Sequence, residues 1–163
     1  MDLLGKDLNE YIGVIKMPVI VSAAISLIGL VVNVIVAVMG KAPGSIGALL
    51  GTIGTLIFGV GALIVGVVLA LYVGWIMVKN RKGTIVNSLI GGALFGLVTG
   101  IIGGLLNIVS TVVNIIFGVG GASTALIIAM AAGVLIFGPI ISLIIDGILA
   151  TIGGFVAQLT GGK

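Results

Sequence analysis

The chain has 163 residues, of which 60% are apolar and only 7% charged, with a formal net charge of +3. An ordinary soluble domain carries about 25% charged residues and could not hide this much Ile, Val, Leu and Gly from water. Hydrocarbon is the natural solvent for such a surface, so the composition excludes the soluble classes. The 29 glycines do not signal disorder either, because disordered chains are poor in apolar residues and this one is rich in them.

There is no Cys and no His. That removes disulfides, thiolate and imidazole metal sites and any His-based mechanism, so no metal, no cofactor and no enzymatic activity is expected. The basic residues stand at the ends of apolar runs, which reads as membrane topology and not as affinity for nucleic acid.

Residues 1–16 form the polar segment. Leu4, Leu8, Tyr11 (or Ile12) and Ile15 recur at helical spacing among Asp2, Lys6, Asp7, Asn9, Glu10 and Lys16. This pattern predicts a short amphipathic helix on the membrane surface, with Pro18 marking the turn into the bilayer. Residues 17–163 then read as one transmembrane domain, whose halves are joined by the basic loop Lys79-Asn80-Arg81-Lys82-Gly83. Between Met17 and Val78 the only charge is Lys41, and between Thr84 and Gly162 it is Asp146.

Met17 to Met39 makes the first span, about 34 Å of helix, enough to cross a hydrocarbon layer about 30 Å thick. It reads as a retained span, not a cleaved signal. Gly40 to Gly44, with Pro43, supplies a tight turn. Ser45 to Val78 is longer than one crossing requires: either the helix projects from the membrane or its Gly-rich start is a separate piece. Tyr72 and Trp75 precede Lys79, Arg81 and Lys82, so an aromatic belt meets a basic edge and anchors the topology. The second half is overlong as well, with candidate breaks at Gly118 to Gly121, Gly103-Gly104 and Gly138-Pro139. The fold class is therefore an all-α, polytopic transmembrane helical bundle. Four spans are favoured, and five or six stay open. Placing the positive charges inside puts both termini and the basic loop in the cytoplasm of a multi-pass protein integral to the cell membrane.

The glycines are patterned. Gly47, Gly51, Gly54 and Gly61 fall near one helix face, Gly92, Gly96, Gly100 and Gly103 near another, and Gly147, Ala150, Gly154 and Ala157 form a third stripe. In lipid, small residues let backbones approach closely and so promote helix packing. Tight packing inside the bundle is the plain reading. A stripe left over for a second copy or a membrane-embedded partner is the sharper one.

Few residues within the spans are polar, and they are spaced. Asn107, Ser110, Thr111 and Asn114 share one helix face; Ser22, Ser26 and Asn33 share another. Such faces should point inward, where they form interhelical hydrogen bonds or line a hydrated path. Asp146, one turn after Ser142, costs roughly 2.5–3.5 kcal/mol to insert at the centre of a span. With the cations confined to loops, it is expected to hydrogen-bond Asn or Ser.

The layout resembles the Yip family of small polytopic membrane proteins. Shared features are a polar amphipathic N-terminus, Gly-rich spans and a short basic loop, as in Leu71 to Gly96, LYVGWIMVKNRKGTIVNSLIGGALFG. It also looks like small glycine-rich archaeal membrane proteins. The chain departs from the eukaryotic Yip pattern in having no long polar region before the first span, so a trafficking role does not carry over. Two functions compete: a non-enzymatic scaffold or subunit of a larger membrane assembly, and a small proton or cation transporter or channel built on Asp146, Ser142, Asn33 and the Asn107 to Asn114 face.

Overall fold

The computed structural model of the protein describes residues 2–3, 5–39, 45–116 and 124–161, with side chains described except at 2–3, 45–52, 55, 124 and 127. Within them lie four long helices: α1 (Leu8–Met39), α2 (Ser45–Lys79), α3 (Ile85–Ile116) and α4 (Thr124–Gly161). Each contains a stretch long and apolar enough to cross a membrane. This is the four-span helical bundle.

The helices have 32, 35, 32 and 38 residues. At 1.5 Å per residue they run about 48 to 57 Å, well beyond a 30 Å hydrocarbon layer. The sequence offers breaks to absorb that excess, but the chain does not take those the described residues cover. Gly103 and Gly104 lie inside α3, and Gly138 and Pro139 inside α4. The excess length is continuous helix, and the Gly-rich start of α2 is part of the same rod. The candidate turns at 40–44 and 118–121 fall outside the described residues.

Pro18 is likewise inside a helix, so it does not mark a turn. A proline removes one backbone hydrogen bond, and neighbouring helices can stabilise the kinked segment in a membrane. The amphipathic segment is helical from Leu8 onward, but it is the first part of α1 and not a separate surface helix. Its apolar face, Tyr11, Val14 and Ile15, is buried against the bundle. Ahead of it, β1 (Asp2–Leu3) and β2 (Lys6–Asp7) form a minimal antiparallel hairpin, with Gly5 in the left-handed region at φ 78°. That turn needs a residue without a Cβ.

The helices alternate in direction. Tyr11 meets Asn87 and Asn33 meets Ser110, so α1 and α3 run the same way. Gly92 lies against Ala150 and Gly104 against Leu135, so α3 and α4 run oppositely. α4 packs most extensively on α3 and then on α2, whereas α1 packs on α2 and α3. Tyr11, Val14, Ile15, Ala70, Val73, Met77 and Phe95 form the main core. All belong to the basic-loop end of the bundle, which is therefore its tightly packed end.

Candidate functional site

Three polar or close-packed regions arise from this arrangement. The first lies under the basic loop. Thr84 opens α3 as a capping residue: Asn87 Oδ1 accepts from the Thr84 amide and hydroxyl, both at 2.7 Å, and the Asn87 amide donates to Thr84 Oγ1 at 3.3 Å. This is the reciprocal logic of a capping box, with Asn in place of Glu. Asn87 Nδ2 also donates to Tyr11 Oη at 2.7 Å, which fastens α1 to α3. Ser88 Oγ donates to the Gly74 carbonyl at 3.1 Å and so fastens α2. Tyr11, Asn87 and Ser88 are all at most 2% exposed. The Thr84–Asn87 bonds cap α3, and those to Tyr11 and Gly74 tie it to α1 and α2.

Outside the junction, the predicted anchors take up separate tasks. Lys79 Nζ stands 4.6 Å from the centre of the Trp75 ring, a cation–π contact. Tyr72 is exposed on the same helix. Lys6 Nζ donates to the Arg81 carbonyl and pairs with Glu10 at 3.1 Å. Lys82 adopts φ 51°, a left-handed conformation uncommon for a residue with a Cβ.

The second region is the α3–α4 seam. A Cβ at Gly92 would strike Ala150 and the Asp146 carbonyl; at Gly96, the Ser142 carbonyl; at Gly100, Pro139; at Gly104, Leu135. The row runs i, i+4, i+8, i+12, one ridge of a helix surface. Gly103, which the sequence pattern places in this stripe, has open space beside it; Gly104 takes the contact. On the other side of α4, Gly74 lies against Ala150 and Gly153 against Leu71. Neither belongs to a predicted stripe. Gly154 sits on Ser88, Gly147 lies beside Leu89 and Ala93, and Ala157 is buried.

Asp146 belongs to this seam. One carboxyl oxygen lies 2.9 Å from the place a Cβ on Gly96 would occupy. It does not form the expected bond: among the described residues its side chain makes no hydrogen bond to Asn or Ser. It also stands only one turn from Ala150, whose backbone is against Gly74, the residue before Trp75. One turn is about 5 Å, so Asp146 is near the level of the aromatic anchor.

The third region is a cleft of about 220 Å³ between α1 and α3, where Ser26 and Asn33 face Asn107 and Ser110. Ser110 Oγ donates to Asn33 Oδ1 at 3.0 Å. Thr111 and Asn114 are half-buried further along α3 and do not line the cleft. Ser26 bonds the Ser22 carbonyl at 2.9 Å, and Thr99, Thr151 and Thr160 do the same within their own helices. Hydroxyls satisfied this way need no partner helix. The structure thus brings Asn33, Asn107 and Ser110 together but leaves Asp146 and Ser142 elsewhere. Gly96 and Asn107 are eleven residues apart on α3, about 16 Å.

Searches against family models, curated proteins and solved structures give no match. Among the described residues, the glycines of α2 are mostly uncovered. Gly54 and Gly61, seven residues apart on one face, have nothing within 4 Å of an added Cβ, and the same holds for Gly59 and Gly66 on a different face. Ile57 and Ile64 beside Gly54 and Gly61 are 70% and 56% exposed. Gly47 and Gly51, earlier in the stripe of Gly54 and Gly61, lie where side-chain surroundings are not described.

Proposed function

We propose that the protein is a non-enzymatic scaffold of the membrane, or a subunit of a larger membrane assembly, and that α2 carries the surface on which it assembles. The carrying observation is the contrast between two sets of glycines. Along α3, Gly92, Gly96, Gly100 and Gly104 meet α4 and only Gly103 is open among the described residues, and α4 has Gly133 and Gly161 open. Along α2, Gly54, Gly59, Gly61 and Gly66 all have nothing against them, and among the described residues only Gly74 is packed. A glycine inside a helix is about 1 kcal/mol worse than alanine in water, so such positions favour a use. Close approach of another apolar helix is the use such residues have in lipid. The partner is a second copy of this chain or another membrane-embedded subunit, with both termini and the basic loop on the cytoplasmic side.

The test is the mass of the protein in lipid nanodiscs or mild detergent, with and without Gly61→Leu. Assembly that Gly61→Leu disrupts, while thermal unfolding of the monomer is unchanged, supports the proposal. A strictly monomeric wild type, both alone and in native-membrane extracts, would contradict it.

Transport is the second reading, favoured by the polar cleft at Asn33, Asn107 and Ser110. It predicts a proton or cation flux into proteoliposomes that Asn107→Leu, in the cleft itself, abolishes. The scaffold reading predicts that both proteins leave the vesicles equally tight.

A further inference from the structure

Between the start of α1 and the end of α2 lies a cleft of about 350 Å³. Its two ends differ in chemistry. Asn80 and Arg81 close it beside the basic loop, while Val14, Met17, Tyr72 and Ile76 wall the rest. Met17 and Tyr72 are exposed, so the cleft opens sideways to whatever surrounds the bundle. Gly13 leaves room for the guanidinium: a Cβ there would stand 3.3 Å from Arg81 Nη2.

The backbone of Arg81 is fixed, its carbonyl accepting from Lys6 and its amide donating to the Ile76 carbonyl at 3.2 Å. Its guanidinium, by contrast, forms no ion pair among the described residues. Of the nearby cations, Lys6 is engaged with Glu10 and Lys79 with Trp75, while Lys16 and Lys82 do not line the cleft. A pinned loop thus presents an uncompensated guanidinium at the head of a cleft that is polar at one end and apolar at the other.

The geometry points to a binding site for one anionic phospholipid, its phosphate on the Arg81 guanidinium and Asn80 amide and its upper chain along Met17, Tyr72 and Ile76. Guanidinium matches phosphate oxygens through paired N–H donors. The volume is at the small end for ligand sites, about 300–1,000 Å³, enough for a headgroup phosphate and the first chain carbons. The remainder of the lipid stays in the bilayer. A free phosphate would use the polar end alone and leave the apolar wall without a role. The basic end of the bundle is also the end that the distribution of positive charge assigns to the cytoplasmic leaflet, where anionic lipids attract it. This inference is independent of the α2 surface.

The test measures lipid retention by native mass spectrometry, using phosphatidylglycerol and phosphatidylcholine with identical chains, with thermal unfolding followed in the same mixtures. Wild type should retain phosphatidylglycerol over phosphatidylcholine by about tenfold, a difference of about 1.4 kcal/mol. Arg81→Gln should abolish the preference. Gly13→Leu, which fills the cleft and keeps the charge, should abolish it too. Lys82→Gln removes an equal charge outside the cleft and should leave it intact. Because the readout is a difference between two lipids, general loss of stability cancels. Equal retention of both lipids by wild type, or equal loss in Lys82→Gln and Arg81→Gln, would overturn the site. Displacement of phosphatidylglycerol by excess inorganic phosphate would overturn it in favour of a free-anion site.

Discussion

Replacing Gly96 by alanine is the sharpest test of how this bundle is held together. In an unconstrained helix the change is favourable by about 1 kcal/mol, since glycine carries the larger backbone entropy. Here the new Cβ would overlap the Ser142 carbonyl, lie 2.6 Å from its carbon, and lie 2.9 Å from Asp146 Oδ2. Two of these atoms are backbone, so α4 itself must retreat. Overpacking of this kind costs about 1–3 kcal/mol. A retreat of 0.5–1 Å also forfeits roughly a quarter to a half of each dispersion well along the seam. The net expectation is destabilisation by about 1–2 kcal/mol. Gly133→Ala, on α4 with nothing within 4 Å, is the matched control and should be neutral or stabilising by up to about 1 kcal/mol. The two variants should therefore differ by about 2 kcal/mol when unfolding is followed in bicelles or mixed micelles. Indistinguishable stabilities would refute the view that backbone contact along Gly92, Gly96, Gly100 and Gly104 holds α3 to α4.

Three further outcomes follow from the polar contacts and the loop. Asn87→Ala removes both the α3 cap and the bond to Tyr11, and should cost about 2 kcal/mol, against about 1 for Tyr11→Phe, in the same unfolding assay. Lys82→Gly should stabilise the protein by about 1 kcal/mol, because the left-handed φ of 51° no longer opposes a Cβ; a loss of stability would show that the turn is held otherwise. A double-mutant cycle on Asn33→Ala and Ser110→Ala should return a coupling of about 0.6 kcal/mol, typical of interhelical hydrogen bonds in membranes. A coupling near zero would mean that water or lipid serves these groups as well.

The architecture was largely legible in the chain because its signals are coarse. Apolar length, the basic loop after Tyr72 and Trp75, and the near absence of charge elsewhere favour four helices, while leaving five or six open until the structure shows four. Their continuity was not legible. Gly138-Pro139 is a strong breaker in water, but in α4 it stands where Gly100 allows α3 to approach, and the packed neighbour holds the helix together. The same limit applies to the glycines. A stripe shows only that one face is small; whether a helix covers it depends on where helices cross. So Gly104 and not Gly103 meets α4, Gly54 and Gly61 meet nothing, and Gly74 and Gly153, outside every predicted stripe, make some of the closest approaches. The junction of Tyr11, Thr84, Asn87 and Ser88 had a readable signal, Thr84 and Asn87 at capping-box spacing beside the basic loop. The pairing with Tyr11 spans 76 residues and had none. Asp146 drew attention as a charge in a span, yet its distance from Asn107 along the helices is set by register, which composition does not encode.

Because the chain contains no cysteine, an introduced thiol shows directly whether the open glycine face of α2 receives another helix. Gly61→Cys and Leu63→Cys would each be introduced alone, and disulfide formation followed in native lipid under mild oxidation. Both positions are exposed, but they point in nearly opposite directions from α2. If α2 is the assembly surface for a second copy, Gly61→Cys forms covalent dimers and Leu63→Cys does not. If it is the surface for a different subunit, Gly61→Cys with a photoreactive thiol label captures one discrete membrane protein that the Leu63→Cys label misses. Equal, sparse products at the two positions would contradict the account, leaving α2 as a helix that faces only lipid.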